Sequence, residues 1–190
     1  MPRSFIVLSH TASVPTTESG IIGANGVLEK QLNLQITERL GALLEEAGVA
    51  VTYTRREDKL LYTEEQNIKG KRKLYDLRNR LDIAERTENA LLISIHMNTY
   101  GDKSQNGLQV YYGRADAGSR RIAEAIHAAA RRDLMPSNRR QPKAAGSSIF
   151  LLDRATCPAV LIECGFLSNP EECEKLCEED YQKALSFSLF

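Results

Sequence analysis

An apolar run that stops abruptly on a histidine constrains the fold of this chain more than any other feature. Residues 90–95 are apolar except for Ser94, include the β-branched Ile93 and Ile95, and lack helical spacing. This pattern is typical of a strand that is covered on both faces and lies in the middle of a sheet. In open α/β sheets the ligand site lies beyond the carboxyl ends of the strands, which is where His96 is expected. His96 is therefore a candidate functional residue, although a histidine in such a position is often a hydrogen-bonded structural residue.

Strands alternate with helices along the rest of the chain. The other segments predicted to be strands are 4–8, 49–54, 107–112, 148–152 and 158–163. Apolar residues at steps of three and four predict helices over 28–47, 74–84, 122–134 and 170–181. The sequence therefore predicts one α/β domain over residues 1–190. We expect a three-layer sandwich in which a mainly parallel, twisted sheet of about six strands has helices on both faces.

The charge balance limits the partners that the chain is expected to have. Its 25 basic and 25 acidic residues cancel, so we expect no nucleic-acid partner, although Arg131–Arg132 and Arg139–Arg140 could form local basic patches. No apolar stretch approaches the roughly 20 residues that a membrane span needs. Residues 1–4 are too few and too polar for a signal peptide. We therefore expect no membrane span in this sequence.

Three candidate metal ligands and one acid are expected at the same edge of the sheet. His10 follows the first predicted strand as His96 follows the central one, and Glu29 lies in the first turn of the next helix. Two imidazoles and a carboxylate suffice for a catalytic zinc ion, which keeps a fourth position open for water. Glu163 ends an apolar strand, where an unpaired carboxylate is costly, and a carboxylate beside that water can transfer its proton to a leaving amine. The pattern favours a metallohydrolase, although the helix dipole alone also explains a carboxylate at position 29.

Five sequence blocks occur in a characteristic order over nearly the whole chain. They are residues 23–34, 76–84, 92–98, 107–112 and 158–170. The most specific parts are Ser94-Ile-His-Met-Asn98 and Glu163-Cys-Gly-Phe-Leu-Ser-Asn169. Together these blocks resemble the zinc-dependent N-acetylmuramoyl-L-alanine amidases. Residues 69–78 further resemble the sporulation-specific subgroup, the CwlD-like cortex amidases of endospore-forming bacteria.

This resemblance implies an activity, a cofactor and roles for particular residues. The implied reaction is hydrolysis of the peptidoglycan amide between the lactyl group of N-acetylmuramic acid and the L-alanine of the stem peptide, with one Zn²⁺ per chain. Glu29 and His96 would be zinc ligands, and Glu163 would be the catalytic acid and base. Arg80 and Asn98 would support the site or bind substrate.

The resemblance to the cortex subgroup also implies a biological setting. The reaction would be the first step toward muramic-δ-lactam, the mark in the spore cortex that is recognised during germination. The protein would then act outside the cytoplasm, in the cell wall or the forespore intermembrane space, and its export signal would be absent from this sequence. Some clostridial relatives need a lipoprotein, which makes a lipoprotein a candidate partner here.

The segment that should supply the first zinc ligand departs from the family pattern. The family's first strand ordinarily ends in Asp-x-Gly-His-Gly-Gly, whereas residues 8–20 contain a histidine without those flanking glycines. The spacing from His10 to Glu29 is also longer by several residues than the motif gives. Either His10 completes the zinc site through a rebuilt loop, or the first ligand is lost. In the second case the chain would be a catalytically impaired wall-binding or partner-binding domain of the same fold.

Overall fold

The computed structural model describes residues 5–9 and 21–190. The strands are β1 (Phe5–Ser9), β2 (Ala50–Tyr53), β3 (Ala90–Asn98), β4 (Gln109–Tyr112), β5 (Lys143–Ala144) and β6 (Ala159–Phe166). The helices are α1 (Glu29–Glu46), α2 (Arg72–Arg86), α3 (Ala117–Asp133), α4 (Phe150–Arg154), α5 (Pro170–Cys177) and α6 (Glu179–Leu189). A single 3₁₀ turn, Glu64–Gln66, lies between β2 and α2.

The six strands form one sheet in the order β2-β1-β3-β6-β4-β5. Neighbours β2, β1, β3 and β6 pair in parallel, β4 pairs with β6 in antiparallel orientation, and β5 is parallel to β4. The prediction of a mainly parallel sheet of about six strands is therefore confirmed. The apolar run forms β3, which lies between β1 and β6 as the sequence predicted.

Two hydrophobic clusters cover the two faces of the sheet. Ile95 belongs to the same buried cluster as Ile36 of α1, and this cluster also includes side chains of α3, α5 and α6. Leu92 instead belongs to a second cluster with Ala84 of α2 and Leu151 of α4. Because side chains alternate between the faces of a strand, the sheet separates an α1 face from an α2 face. The predicted three-layer sandwich is thus confirmed, and none of the helices in the described ranges is long and apolar enough to cross a bilayer.

The prediction of a strand over residues 148–152 is wrong, because this segment contributes to α4. The backbone N–H of Asp153 donates to Ile149 O, and that of Ala155 donates to Leu151 O, each at 2.9 Å, which is helical spacing. A short apolar run does not distinguish a strand from one turn of buried helix, and here Leu151 and Leu152 both face the core. The sixth strand is instead β5, two exposed residues in a segment for which the sequence predicted neither a strand nor a helix.

The last predicted helix is divided into α5 and α6. Glu178 adopts an extended backbone conformation between them, with φ −75° and ψ 129°. At the start of α5, the buried Glu172 carboxylate accepts hydrogen bonds at 2.7 Å from the backbone N–H groups of Gly107 and Phe166. This carboxylate therefore ties α5 to the end of β6 and to the turn before β4, next to the carboxyl edge of the sheet.

Candidate active site

Three of the predicted site residues come together at the carboxyl ends of β3 and β6. His96 and Glu163 are direct partners in the parallel pairing of these strands, so their side chains point to the same face. Leu92 and Leu161 lie an even number of residues earlier on the two strands and belong to the cluster on the α2 face. His96 and Glu163 therefore project on the α2 face, at the sheet edge where the sequence predicted the chemistry.

Glu29 reaches this edge because it is the first residue of α1. The chain before the helix is fixed by a bridge between Ile22 and Leu28, and the backbone N–H of Glu29 donates to Ile21 O at 2.9 Å. A carboxylate is favoured at this position by the helix dipole. The position of Glu29 is thus consistent both with stabilisation by the helix dipole and with a role as a metal ligand.

The Glu29 carboxylate contacts the His96 imidazole directly. Glu29 Oε1 lies 3.1 Å from His96 Nδ1, and it also accepts hydrogen bonds from Asn33 Nδ2 at 2.9 Å and from the backbone N–H of Met97 at 3.3 Å. Burial raises the pKa of Glu29, but the hydrogen bond and charge of His96, with the Asn33 and Met97 bonds, lower it further, so the net pKa is below its ordinary value. Glu29 is therefore held in the ionised form that a metal ligand requires.

The environment of His96 favours positive charge. Burial lowers the pKa of His96, but its hydrogen bond to Glu29 and the negative charges of Glu163 and Glu29 outweigh burial and the charge of Arg80, so the pKa is raised. Its second nitrogen, Nε2, lies 3.1 Å from Ser94 Oγ. The centre between these side chains thus favours a cation.

Glu163 has an oxygen without a partner. Its Oε2 atom is buried and accepts no hydrogen bond within the part of the chain that the structure describes. Burial and the nearby Glu29 charge raise the pKa of Glu163, while His96 lowers it, and the net direction is upward. A carboxyl group whose pKa is raised by burial in this position is a candidate general acid and base.

His10 lies outside the described residues. Within residues 5–9 and 21–190, no three His, Cys, Asp or Glu side chains are grouped so that they could hold a metal ion by themselves. Glu29 and His96 supply a carboxylate oxygen and an imidazole nitrogen, which are two donors of the kinds that zinc accepts. Within the described residues, the site therefore supplies two of the three protein ligands that a catalytic zinc ion needs.

Arg80 supports the site from inside the protein. Its fully buried guanidinium donates from Nε and Nη2 to the two carboxylate oxygens of Asp76, at 2.8 and 2.7 Å, and from Nη1 to Thr54 Oγ1 at 2.6 Å. Asp76 Oδ1 also accepts the backbone N–H of Leu61 at 2.7 Å. The pair therefore fixes α2 to β2 and to the long connection between them, and its role is structural in this geometry.

Asn98 lies two residues beyond His96, at the end of β3. Its backbone carbonyl accepts the N–H of Leu167 at 2.8 Å. The pairing shifts here, because His96 pairs with Glu163 whereas Asn98 pairs with Phe166, so β6 contains one extra residue. This β-bulge interrupts the regular pairing of β3 with β6 beside the site.

Comparison with known proteins identifies the family. A sequence model of N-acetylmuramoyl-L-alanine amidase matches residues 5–189. The chain belongs to the N-acetylmuramoyl-L-alanine amidase family. The match extends over both helical layers and the whole sheet of this amidase.

Individual relatives agree with this assignment. The germination-specific N-acetylmuramoyl-L-alanine amidase of Bacillus subtilis is 34% identical over 173 residues, which cover 91% of this chain and 72% of that protein. The CwlD amidase of Clostridioides difficile, solved in complex with the GerS lipoprotein, superimposes with a TM-score of 0.89 and 32% identity over 98% of this amidase and 94% of that chain. An N-acetylmuramoyl-L-alanine amidase of Nostoc punctiforme gives a TM-score of 0.79 at 26% identity, over 98% and 92% of the two chains. The resemblance to CwlD-like amidases is thus confirmed.

Sequence reasoning missed two polar residues of the amidase site. Asn33 lies four residues after Glu29 on α1, so the helical spacing that brings it to the carboxylate was present in the sequence. Gln109 is the antiparallel partner of Glu163 on β4, and it is buried with an Oε1 atom that has no partner among the described residues. No local pattern indicated that residue, because the pairing of β4 with β6 joins segments far apart in the chain.

Proposed function

We propose that this amidase is a zinc-dependent hydrolase that cuts the peptidoglycan amide between N-acetylmuramic acid and the L-alanine of the stem peptide. The observation that carries the proposal is the convergence of Glu29, His96 and Glu163 at one sheet edge, with Glu29 Oε1 3.1 Å from His96 Nδ1 and a buried Glu163 oxygen left without a partner among the described residues. Glu29 and His96 are suited to hold a cation, and Glu163 is suited to transfer a proton.

Glu29, His96 and His10 would hold the zinc ion in this proposal. His10 follows Ser9 directly in the sequence, and Ser9 pairs in register with Ser94, two residues before His96. When bound, zinc supplies a Lewis acid that polarises the scissile carbonyl and makes water a nucleophile near neutral pH. The low pKa of Glu29 keeps its carboxylate ready for the cation, and Asn33 fixes the orientation of that carboxylate.

Glu163 is the proton carrier. Its neighbouring strand partner is His96, so its carboxyl group lies beside the pair that would hold the cation. It takes a proton from the attacking water and delivers it to the nitrogen of the departing L-alanine, which leaves as an amine. The upward pKa shift of Glu163 favours its protonated form, which is the form that gives the proton to the leaving amine.

The spore cortex is the proposed setting. The B. subtilis relative is a germination-specific amidase, and the similar clostridial structure is CwlD. By this analogy the present amidase would act outside the cytoplasm, where amide cleavage prepares cortex muramic acid for δ-lactam formation. The clostridial structure also contains a lipoprotein, and we propose a lipoprotein partner for this chain on that basis.

Product analysis tests the reaction. We expect incubation with muropeptides and zinc to release free stem peptide that begins with L-alanine, together with N-acetylmuramic acid whose lactyl group is intact, both identified by mass spectrometry. Release of sugar fragments or of internal peptides would identify a different bond. No release at high protein concentration would favour a domain that binds the wall without cutting it.

A further inference from the structure

A basic segment borders the site on the β4 side. Residues 134–152 contain Arg139, Arg140 and Lys143 but no aspartate or glutamate. Arg139 and Lys143 are exposed, whereas Arg140 is half-buried. In a chain with no net charge, this segment carries a local excess of positive charge.

Gln109 connects this segment to the strand that carries Glu163. The two residues are direct partners in the pairing of β4 with β6. The side-chain Nε2 of Gln109 donates to Gln141 O at 2.8 Å and to Val110 O at 3.1 Å. The Gln109 side chain therefore links the strand position opposite Glu163 to the backbone of Gln141, the residue that follows Arg140.

Arg140 fixes the segment against the end of β6. Its guanidinium carbon lies 4.5 Å from the centre of the Phe166 ring, three residues after Glu163. Arg140 Nε donates to Asn106 O at 3.0 Å, and Nη2 donates to Gln105 Oε1 at 2.7 Å. Arg140 is thus an anchor, and the neighbouring Arg139 is left at the surface.

These contacts form a polar groove of about 400 Å³. Arg139 and Arg140 line it together with the neutral side chains Ser104, Gln105, Asn106, Ser137 and Asn138. Asp102 contacts Ser104 and Gln105, but no carboxylate is among the lining residues. Cationic and neutral amide groups of this kind bind peptide carboxylates and backbone amides.

The groove is within reach of a peptide attached at the cleavage site. Asn106 lies three residues before Gln109, the strand partner of Glu163, and three residues of chain span at most about 11 Å. The groove therefore begins within about 11 Å of the strand position opposite Glu163, a distance that about three extended peptide residues can span. A stem peptide held at its first residue would bring its following residues, which carry the carboxylates, to this position.

We propose that this groove binds the acidic stem peptide of the substrate and that Arg139 recognises a carboxylate of that peptide. The identity of the peptide rests on the proposed peptidoglycan activity. The recognition of a carboxylate rests on the composition and position of the groove. Arg139 is then a specificity residue for this amidase.

Binding measurements test this recognition without requiring turnover. Isothermal titration should show that a free stem peptide with its carboxylates binds more tightly than the same peptide with the carboxylates amidated. Arg139→Ala should weaken binding of the acidic peptide about tenfold and remove this preference, since a charge-assisted hydrogen bond is lost. Arg121→Ala, which removes an exposed arginine from α3, is the matched control and should bind like the wild type.

Kinetics separate this proposal from the proposed reaction. With matched muropeptides, Arg139→Ala should raise KM for the acidic substrate about tenfold with little change in kcat, and should leave the amidated substrate unaffected. Hydrolysis by the wild type without a preference for carboxylates would overturn the role of Arg139 while the reaction stands. Carboxylate-dependent binding without any hydrolysis would overturn the proposed reaction and support the proposed binding of the peptide in the groove. Equal binding of both peptides by wild type and Arg139→Ala would overturn the groove.

Discussion

Glu163 is the residue at which stability and activity are expected to conflict. Because its pKa is raised in the folded protein, its ionised form costs folding free energy once the pH exceeds the ordinary pKa of a glutamate. Glu163→Gln keeps the shape and removes the charge. We expect this variant to lose at least about 100-fold in the rate of stem-peptide release, as is typical when a general acid and base is removed.

Stability and metal content show whether that loss is chemical. With EDTA present at pH 7.5, the denaturation midpoint of Glu163→Gln should equal or exceed that of the wild type, and the difference should shrink as the pH falls below the ordinary glutamate pKa. Zinc content should be unchanged. A variant that no longer binds zinc would make Glu163 a ligand, and a fully active one would place the proton carrier elsewhere.

His10 is the residue on which the metal site depends. We expect about one zinc ion per chain in the wild type and a strong loss in His10→Ala, because a site left with Glu29 and His96 lacks its third protein ligand. Glu18→Gln, which alters the carboxylate of the same segment, should retain the metal. Elemental analysis of the purified proteins measures this, and equal zinc in wild type and His10→Ala would exclude His10 as a ligand.

Two of the described site residues were predictable from the ends of strands. A buried strand that ends in a polar residue places that residue at the sheet edge, as it does for His96 and Glu163. Glu29 was instead predictable from its place in the first turn of α1, where a carboxylate is favoured. The orientation of Glu29 by Asn33 was in principle readable from helical spacing. The position of Gln109 was not, because it depends on a non-local antiparallel pairing.

At the level of elements, Glu172 is expected to be a stability determinant. Its two carboxylate oxygens accept the N–H groups of Gly107 and Phe166. Glu172→Gln replaces one acceptor with a donor, which should leave a buried N–H unpaired and cost about 1–3 kcal/mol in the free energy of unfolding. Glu171→Gln changes the exposed neighbour and should stay within about 0.5 kcal/mol. Urea denaturation compares them, and equal losses would show that the two hydrogen bonds contribute nothing specific.

The buried ion pair of α2 gives a second prediction for an element. Arg80→Met should destabilise the fold by about 3–5 kcal/mol, because it leaves the Asp76 carboxylate buried without its cation. Arg78→Met removes an exposed arginine from the same helix and is the control, with an expected effect within about 0.5 kcal/mol. Chemical denaturation monitored by circular dichroism measures both. A loss for Arg80→Met no larger than that of the control would contradict the structural role of the pair.

The elements themselves were predictable where their apolar pattern was long. The helical spacing of apolar residues in α1 and the apolar run of β3 each fitted only one type of secondary structure. Residues 148–152 did not, since five apolar-rich residues suit one buried helical turn as well as a strand. The two-residue β5 had no signal of its own, because Lys143 and Ala144 are exposed and are ordered by pairing with β4.

For the whole molecule, alternation of strands and helices was enough to predict the layers of the sandwich but not the reversal of β4. A loop between β3 and β4 and a helix after β4 are compatible with either orientation of that strand. The antiparallel direction is fixed by the tertiary pairing with β6. This reversal has a functional consequence, since it brings Gln109 and the groove-lining residues before it to the same edge as Glu163.

A zinc titration of metal-stripped amidase tests the central claim most directly. Stem-peptide release from muropeptides would be followed by mass spectrometry as zinc is added back to the EDTA-treated wild type. We expect no release without metal, and a rate that rises with added zinc and saturates at about one equivalent per chain. The same rate in the metal-free protein, or no release at any zinc concentration, would contradict the assignment of this site as a zinc-dependent amidase centre.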